Sequence, residues 1–255
     1  MNHNLLEFDM ALGRQKPETI VHTDHYCPFC DRENLENIID SDGSILLVRN
    51  KYNVLKGTDQ FVLIEGDACH SDMPEYTTEH MRKLIHFGVH HWRQLLHCGK
   101  YQEVLFFKNF GPLSGGTIRH PHMQLIALPK LTNAITVHPE EFEGPVIYAQ
   151  NDVSMTVSDQ PRIGFWEFNL IVRKLTDQSL DTLADYLQIA TDYLTHHFHK
   201  HCNSYNIFFY HRDKTIYAKL MPRFATPPIF VGYSIRVRPT NYETIAEEFH
   251  NLYGK

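Results

Sequence analysis

Residues 109–124, Asn-Phe-Gly-Pro-Leu-Ser-Gly-Gly-Thr-Ile-Arg-His-Pro-His-Met-Gln, place a glycine-rich loop directly ahead of a His-Pro-His-x-Gln run. Glycine lets a chain curl close to a ligand. The backbone N–H groups of Ser114, Gly115, Gly116 and Thr117, with a hydroxyl, can therefore cradle a phosphate. The apolar run 125–128 reads as a strand, and the residues leading into it should be extended too. On that reading His120, His122 and Gln124 share one face. Pro121 points away and keeps this part of the strand at an edge or an open end. An anion cradle, a candidate nucleophile and a candidate metal ligand within a few residues form a layout for phosphate chemistry. Neutral imidazole is a good nucleophile near neutral pH and needs no strong base to activate it.

Cys27-Pro-Phe-Cys30 is a C-x-x-C knuckle with an aromatic residue inside it. The spacing suits two thiolates on one zinc, or a redox pair. The redox reading needs a helix starting at the first cysteine of a thioredoxin-like unit, and no such pattern follows Cys30. Zinc wants four ligands, so two more must come from afar. His120 is one candidate, because a metal there would anchor the strand presenting His122. His70 is the other, with its neighbour Cys69 as competitor; adjacent strand residues would point in opposite directions, so one of the two ligates. No second close thiolate pair exists, so the metal is expected to pin a loop to an enzyme core rather than to build a zinc ribbon.

The chain of 255 residues carries a formal charge of −6. That balance argues against a nucleic-acid polymer or an anionic membrane surface as partner, while a small phosphorylated ligand needs only a local basic pocket. No apolar run approaches the ~18 residues that span a bilayer. The first residues lack a basic start followed by an apolar run. Five cysteines, an odd number, do not suit a secreted disulfide framework. The expected location is cytoplasmic. Of the 18 histidines, His86, His90, His91, His97, His196, His197, His199 and His201 fall in helical stretches and read as solvated faces.

Those side chains need elements to hold them. Met81, Leu84, Ile85, Trp92, Leu95 and Leu96 form a helical stripe over 78–97, with Thr77 as N-cap and Gly99 as terminator. A strand over 101–108 then leads into the glycine loop. A similar order recurs about 100 residues later, a candidate duplication: a stripe at Leu180, Leu183, Ala184, Leu187, Leu194 and Phe198, a strand over 205–210, a charged turn and a strand over 215–221. The second copy has no glycine loop, and Tyr217-Ala-Lys219 stands in place of His-Pro-His. Catalysis is therefore expected in the first half, 1–135, with the degenerate half, 136–255, as scaffold. The fold class is α+β, with mainly antiparallel sheet and flanking helices. The chain should end in a strand over 229–235 and a helix from about Asn241.

Cys27-Pro-Phe-Cys30, Val48-Arg-Asn50-Lys-Tyr52, the segment around His70, residues 109–124 and Phe230-Val-Gly-Tyr233 together resemble the galactose-1-phosphate uridylyltransferase family, a branch of the histidine-triad superfamily. The pieces occur in family order and cover nearly the whole chain. Their combination is specific where each alone would be weak. The resemblance implies two related histidine-triad-like halves and one structural zinc (Zn2+) on Cys27, Cys30, His70 and His120. It implies that His122 accepts a nucleoside monophosphate, and that Gln124, Asn109 and the loop Ser114, Gly115, Gly116 and Thr117 hold phosphates. Asn50 then lies near the nucleotide, and Val231 and Tyr233 at the sugar or acceptor end. Arg14, in Gly13-Arg-Gln-Lys16-Pro17, matches a shortened form of the family's basic N-terminal segment near phosphate. Two departures stand out. Tyr217 and Lys219 occupy the later strand where members with a second metal carry histidines, and Ser234 replaces a hexose-contacting glutamate.

The implied activity is a nucleotidyltransferase acting on nucleotide sugars or related nucleoside diphosphate derivatives, through a covalent nucleotidyl-histidine. Two alternatives stay open: a hydrolase or phosphorylase using the same intermediate, and a non-catalytic nucleotide-binding protein. The implied partner is a small-molecule nucleotide or nucleotide sugar, with no nucleic-acid polymer and no membrane; a homodimer is compatible with the resemblance.

Overall fold

The strand pattern begins with a tight hairpin between β1 (Ile38–Asp42) and β2 (Ile45–Arg49), turned through Gly43 at φ +64°. In the computed structural model the described residues are 4–198, 202–242 and 244–254, so His199 and His201 lie outside them. The chain divides into two compact units: Met1–Asp72 with Phe87–Thr136, and Met73–His86 with Val137–Lys255. The second unit thus includes residues 73–86, which a simple division near residue 135 would give to the first.

In the first unit β3 (Asp59–Ile64), β4 (Glu103–Phe110) and β5 (His122–Leu128) complete an antiparallel sheet of order β1-β2-β3-β5-β4. A four-residue helix, α1 (Met10–Gly13), precedes the sheet and is capped by Asp9, whose carboxylate accepts the Ala11 and Leu12 N–H groups at 3.0 Å. The long helix α2 (Thr78–His97) separates β3 from β4 in sequence. It starts where expected, with the His80 N–H donating to the Thr77 hydroxyl at 3.2 Å, and is followed by Gly99 at φ +74°. Gly88 brings it close to the sheet: a Cβ there would lie 2.8 Å from the Phe106 ring and 3.2 Å from Leu63. The Trp92 indole donates to the Val104 carbonyl at 2.7 Å. Strand alternation then sorts β5. Met123, Leu125 and Ala127 are fully buried and pair with Leu63, Phe106 and Val104 on the helix side. His122, Gln124 and Ile126 face the other way.

The second unit repeats the plan. β6 (Val146–Gln150), β7 (Val153–Val157) and β8 (Phe168–Val172) precede α3 (Asp177–Asp192), and β9 (Tyr205–Arg212) and β10 (Thr215–Pro222) follow it. The strand order β6-β7-β8-β10-β9 matches that of the first unit. Even the β-bulge recurs, at Ile38/Asp40 and at Val146/Tyr148. Thr176 and Ser179 cap α3 reciprocally, at 3.1 and 2.9 Å. Asp213 and Lys214, both at positive φ, close β9 onto β10, the geometry of a two-residue hairpin. The first unit spends residues 111–121 on the same connection.

Register fixes which positions correspond. Ile45 and Val153 follow equivalent hairpins, so Leu46 matches Ser154 and their partners Ile64 and Ile171 match. The next strand then matches His122 with Tyr217 and Gln124 with Lys219. In the second unit that sheet face is filled. Phe142 is fully buried and lies 4.7 Å from the Tyr217 ring and 5.8 Å from Tyr210. Lys219 donates to the Glu141 carbonyl and Asn169, both at 2.7 Å, and pairs with Glu167 at 2.9 Å. The expected duplication is therefore present in topology, with the second copy closed.

One expectation needs correction. The segment read as a strand over 229–235 is a helix, α4 (Pro228–Tyr233), with Ser234 in the left-handed region at φ +56°. Pro228 near its start is pre-set for a helix, which outweighs the β propensity of Ile, Phe and Val. The last helix, α5, spans Thr244–Tyr253. Pro121 precedes an interior strand, lying at its open end, where its carbonyl accepts the Glu65 N–H at 3.1 Å. Among the described residues no helix is long and apolar enough to cross a membrane.

The plug of the second unit depends on Gly144, at φ +146°, where an added Cβ would sit 1.8 Å from the Val157 carbonyl oxygen. Gly144→Ala is expected to lower stability by about 2 kcal/mol or more, measured by denaturant unfolding; an unchanged midpoint would contradict this packing.

Candidate active site and metal centre

Cys27, Cys30, Cys69 and His120 bring three Sγ atoms and one ring nitrogen within 4.8 Å of one another. The His120 Nδ1 lies 3.7 Å from Cys27 Sγ and 3.5 Å from Cys30 Sγ. Tetrahedral zinc with Zn–S near 2.3 Å and Zn–N near 2.0 Å calls for an edge of about 3.6 Å. The far side of the ring is committed: Nε2 lies 2.8 Å from the Gly66 carbonyl. A carbonyl only accepts, so Nε2 carries the proton and Nδ1 keeps its lone pair for a metal. Burial and the neighbouring Cys30 and Cys27 push the Cys69 thiol up to about 12, because crowded sulfurs resist ionisation until a cation joins them. The donor set fits one structural metal ion of the zinc type.

The fourth member of this cluster is the Cys69 sulfur, where the sequence pointed to His70 with Cys69 as its competitor. Residues 69–70 form a turn and His70 is exposed, so the alternation expected of a strand does not apply. The knuckle is fastened from inside. Phe29 is buried with Leu46, Val48, Val62 and Ile64 and stands edge-on to His120 at 5.9 Å and to His122 at 5.4 Å. A second group, His22, Asp24 and His25, is exposed at all three positions.

His122 is oriented by the residue that precedes Pro121. Its Nδ1 lies 2.7 Å from the His120 carbonyl, so Nδ1 holds the proton and Nε2 is the ring atom with a free lone pair. Burial pulls the imidazolium pKa down to about 4, and the cations of Lys108 and Lys16 act in the same sense against the bond to the His120 carbonyl. The ring is therefore neutral.

A cavity of about 590 Å³ opens over this sheet face, within the usual range for small-molecule sites. Its floor is formed by Val48, Gln60, Val62, Phe107, Asn109, His122, Gln124 and Ile126, the outward set dictated by strand alternation. Gly115, Gly116 and Thr117 form one wall. Gly111 and Gly115, at φ +81° and +86°, set the loop's turns. The loop is pinned by the Thr19 N–H to the Thr117 carbonyl at 2.8 Å and the Arg119 N–H to the Thr19 hydroxyl at 2.9 Å. The Ser114 hydroxyl donates to the Gly111 carbonyl at 2.7 Å and accepts the Gly116 N–H at 3.3 Å. Ser114 thus shapes the loop and does not line the cavity.

Asn50, Asn109, Gly115, Gly116, Thr117, His122 and Gln124 are brought together on the cavity. Arg14 is exposed and does not line it; Lys16, two residues on, does. The short helix α1 and its cap turn Arg14 outward, and burial lowers the Lys16 ammonium from its ordinary value. Val231 and Tyr233 are 73 % and 77 % exposed on α4 of the second unit and do not line this cavity. Gln60 and Phe107 escaped the sequence reading because strand register, rather than any motif, puts them on the floor.

The architecture is shared with solved enzymes. A uridylyltransferase structure superimposes with TM-score 0.69 at 16 % identity, covering 98 % of each chain. An ADP-glucose phosphorylase from Arabidopsis thaliana, with bound ADP-glucose, gives TM-score 0.69 at 14 % identity and 100 % of each chain. At these identities the likeness is one of fold, and it is the two-half fold that the sequence resemblance implies. The crystal structure of a DUF4931 family protein from Bacillus cereus ATCC 10987 is nearer, with 38 % identity, TM-score 0.76, and 86 % of this chain matched to 100 % of that one. The N-terminal and C-terminal domain models of this domain of unknown function match residues 8–131 and 134–254. The chain belongs to the DUF4931 family. No curated protein sequence matches it.

The donor geometry predicts about one zinc per chain. Cys69→Ser should lose most of it and His70→Ala should retain it, by metal analysis of purified protein; the reverse pattern would overturn the donor assignment.

Proposed function

We propose that this protein is a nucleotidyltransferase that carries a nucleoside monophosphate on His122 Nε2. The observation that carries the reading is the Nδ1 bond of His122 to the His120 carbonyl, beside a cavity walled by a glycine loop. The fold neighbours, a uridylyltransferase and an ADP-glucose phosphorylase, agree with it.

The chemistry runs as follows. Nε2 attacks the α-phosphorus of a nucleoside diphosphate derivative. The P–O bond to the β-phosphate breaks, and the leaving phosphorylated group takes the electron pair. Positive charge grows on the ring as the N–P bond forms, and the His120 carbonyl, accepting from Nδ1, stabilises it. Loop amides, Gln124 and Lys16 neutralise phosphate oxygens; positioning and charge carry most of phosphoryl transfer. An acceptor oxygen then attacks the same phosphorus, the N–P bond breaks and neutral imidazole returns. Cys27, Cys30, Cys69 and His120 would hold the zinc, which serves to fix the knuckle and the His-Pro-His segment. Sugar phosphate, inorganic phosphate and water are the candidate acceptors, and Ser234 in place of a carboxylate gives no basis for galactose selection.

Intact-protein mass after incubation with nucleotide sugars and dinucleoside polyphosphates tests the reading. One nucleoside monophosphate adduct is expected, absent in His122→Ala and formed about 10²-fold more slowly in Gln124→Ala. An adduct that survives in His122→Ala, or none from any donor, would refute it.

A further inference from the structure

Behind the cavity floor lies a buried charge network that the proposed reaction does not use. Lys108, on β4, is fully buried, as is Glu65, and they meet at 2.6 Å. Lys108 also reaches Asp72 at 3.2 Å. Burial opposes the Lys108 charge, but the two carboxylates outweigh it and its pKa is raised. A buried ion pair is weak evidence for stability, because well-packed apolar residues often serve a fold as well or better.

The molecule contains its own control. By strand register Glu65 corresponds to Val172, since Glu65 pairs with Pro121 as Val172 pairs with Ile216. Lys108, opposite Met123, corresponds to Phe209, opposite Ala218. Val172 and Phe209 are 1 % and 4 % exposed. The half without the cysteine cluster or His-Pro-His thus builds the same sheet with an apolar pair. The charges accompany the site and not the fold.

Their connections indicate what they do. Glu65 donates its N–H to the Pro121 carbonyl at 3.1 Å, between the metal-binding and nucleophilic histidines. The next residue, Gly66, accepts from His120 Nε2. Cys69 follows three residues later, and Asp72 three beyond that. Lys108 therefore grips both ends of the segment 65–72, which supplies one sulfur donor and the carbonyl that orients His120. We propose that Lys108, Glu65 and Asp72 are positioning residues that hold the metal loop and the His-Pro-His segment in register, so that metal retention and presentation of His122 are coupled. The second half of this claim rests on His122 being the nucleophile; the first does not.

The test copies the second half into the first. Glu65→Val, Lys108→Phe and Asp72→Asn are combined so that no lone charge is left buried, and thermal midpoint, zinc release to a chelator and nucleotide-adduct formation are measured. The expected result is a folded protein with a midpoint near that of the parent. Zinc release should be roughly 10–100-fold faster, the scale of outer-sphere effects on metal sites, and adduct formation slower by at least 10-fold while nucleotide affinity changes little. A folded triple variant that releases zinc at the parental rate overturns the proposal. Asp72→Asn alone is the companion: it loosens one end of the segment and should speed zinc release about 10-fold. If the triple variant does not fold, parental zinc release in Asp72→Asn overturns the proposal and faster release supports it. If the parent forms no adduct with any donor, the nucleotidyl-transfer reading fails and zinc release alone decides this one.

Discussion

His120 does two jobs with different atoms, and the site depends on keeping both. Its ring offers Nδ1 to three sulfurs because Nε2 is tied to the Gly66 carbonyl. Its own carbonyl accepts the Nδ1 proton of His122. Proline between them removes one N–H and fixes one φ, so the two histidines cannot trade these roles by a small backbone shift. A metal-bound nitrogen has donated its lone pair and cannot attack phosphorus, while the buried neutral ring two residues on keeps its Nε2 pair. In the proposed reaction, the separation of structural from reactive histidine is thus a matter of hydrogen bonding.

Around that pair the sheet supplies the cavity floor and the glycine loop supplies one wall. Alternation on β2, β3, β4 and β5 sends one set of side chains to the helix and the other to the cavity floor. The glycine loop spends eleven residues where the second half uses two, and the extra chain forms a cavity wall. In the second half the corresponding face is closed by Phe142 and by Lys219 among Glu141, Glu167 and Asn169. One topology therefore yields an open face and a filled one, and the difference lies in side chains and loop length.

Much of this was legible in the sequence where a local rule governs. Helical stripes, the Thr77 cap, the second hairpin and the duplication follow from periodicity and turn chemistry. The cavity positions of His122 and Gln124 follow from alternation next to a recognisable loop. The failures occur where tertiary context or chain direction decides. Cys69 and His70 are adjacent, and only the turn at 69–70 selects the sulfur. Arg14 and Lys16 differ by the path of a four-residue helix. Residues 229–235 carry β-favouring side chains, yet Pro228 starts a helix. Lys108 and Glu65, distant in sequence, give no local sign of meeting inside the molecule.

Histidine tautomers report the central claim directly. Nitrogen-15 NMR of the zinc-loaded protein, with His120 and His122 assigned by substitution, should show His122 as the neutral Nδ1–H form with unprotonated Nε2. His120 should appear as the Nε2–H form with metal-bound Nδ1. A His122 ring protonated at Nε2, or a His120 ring bound to metal through Nε2, would contradict the division of roles between the two residues.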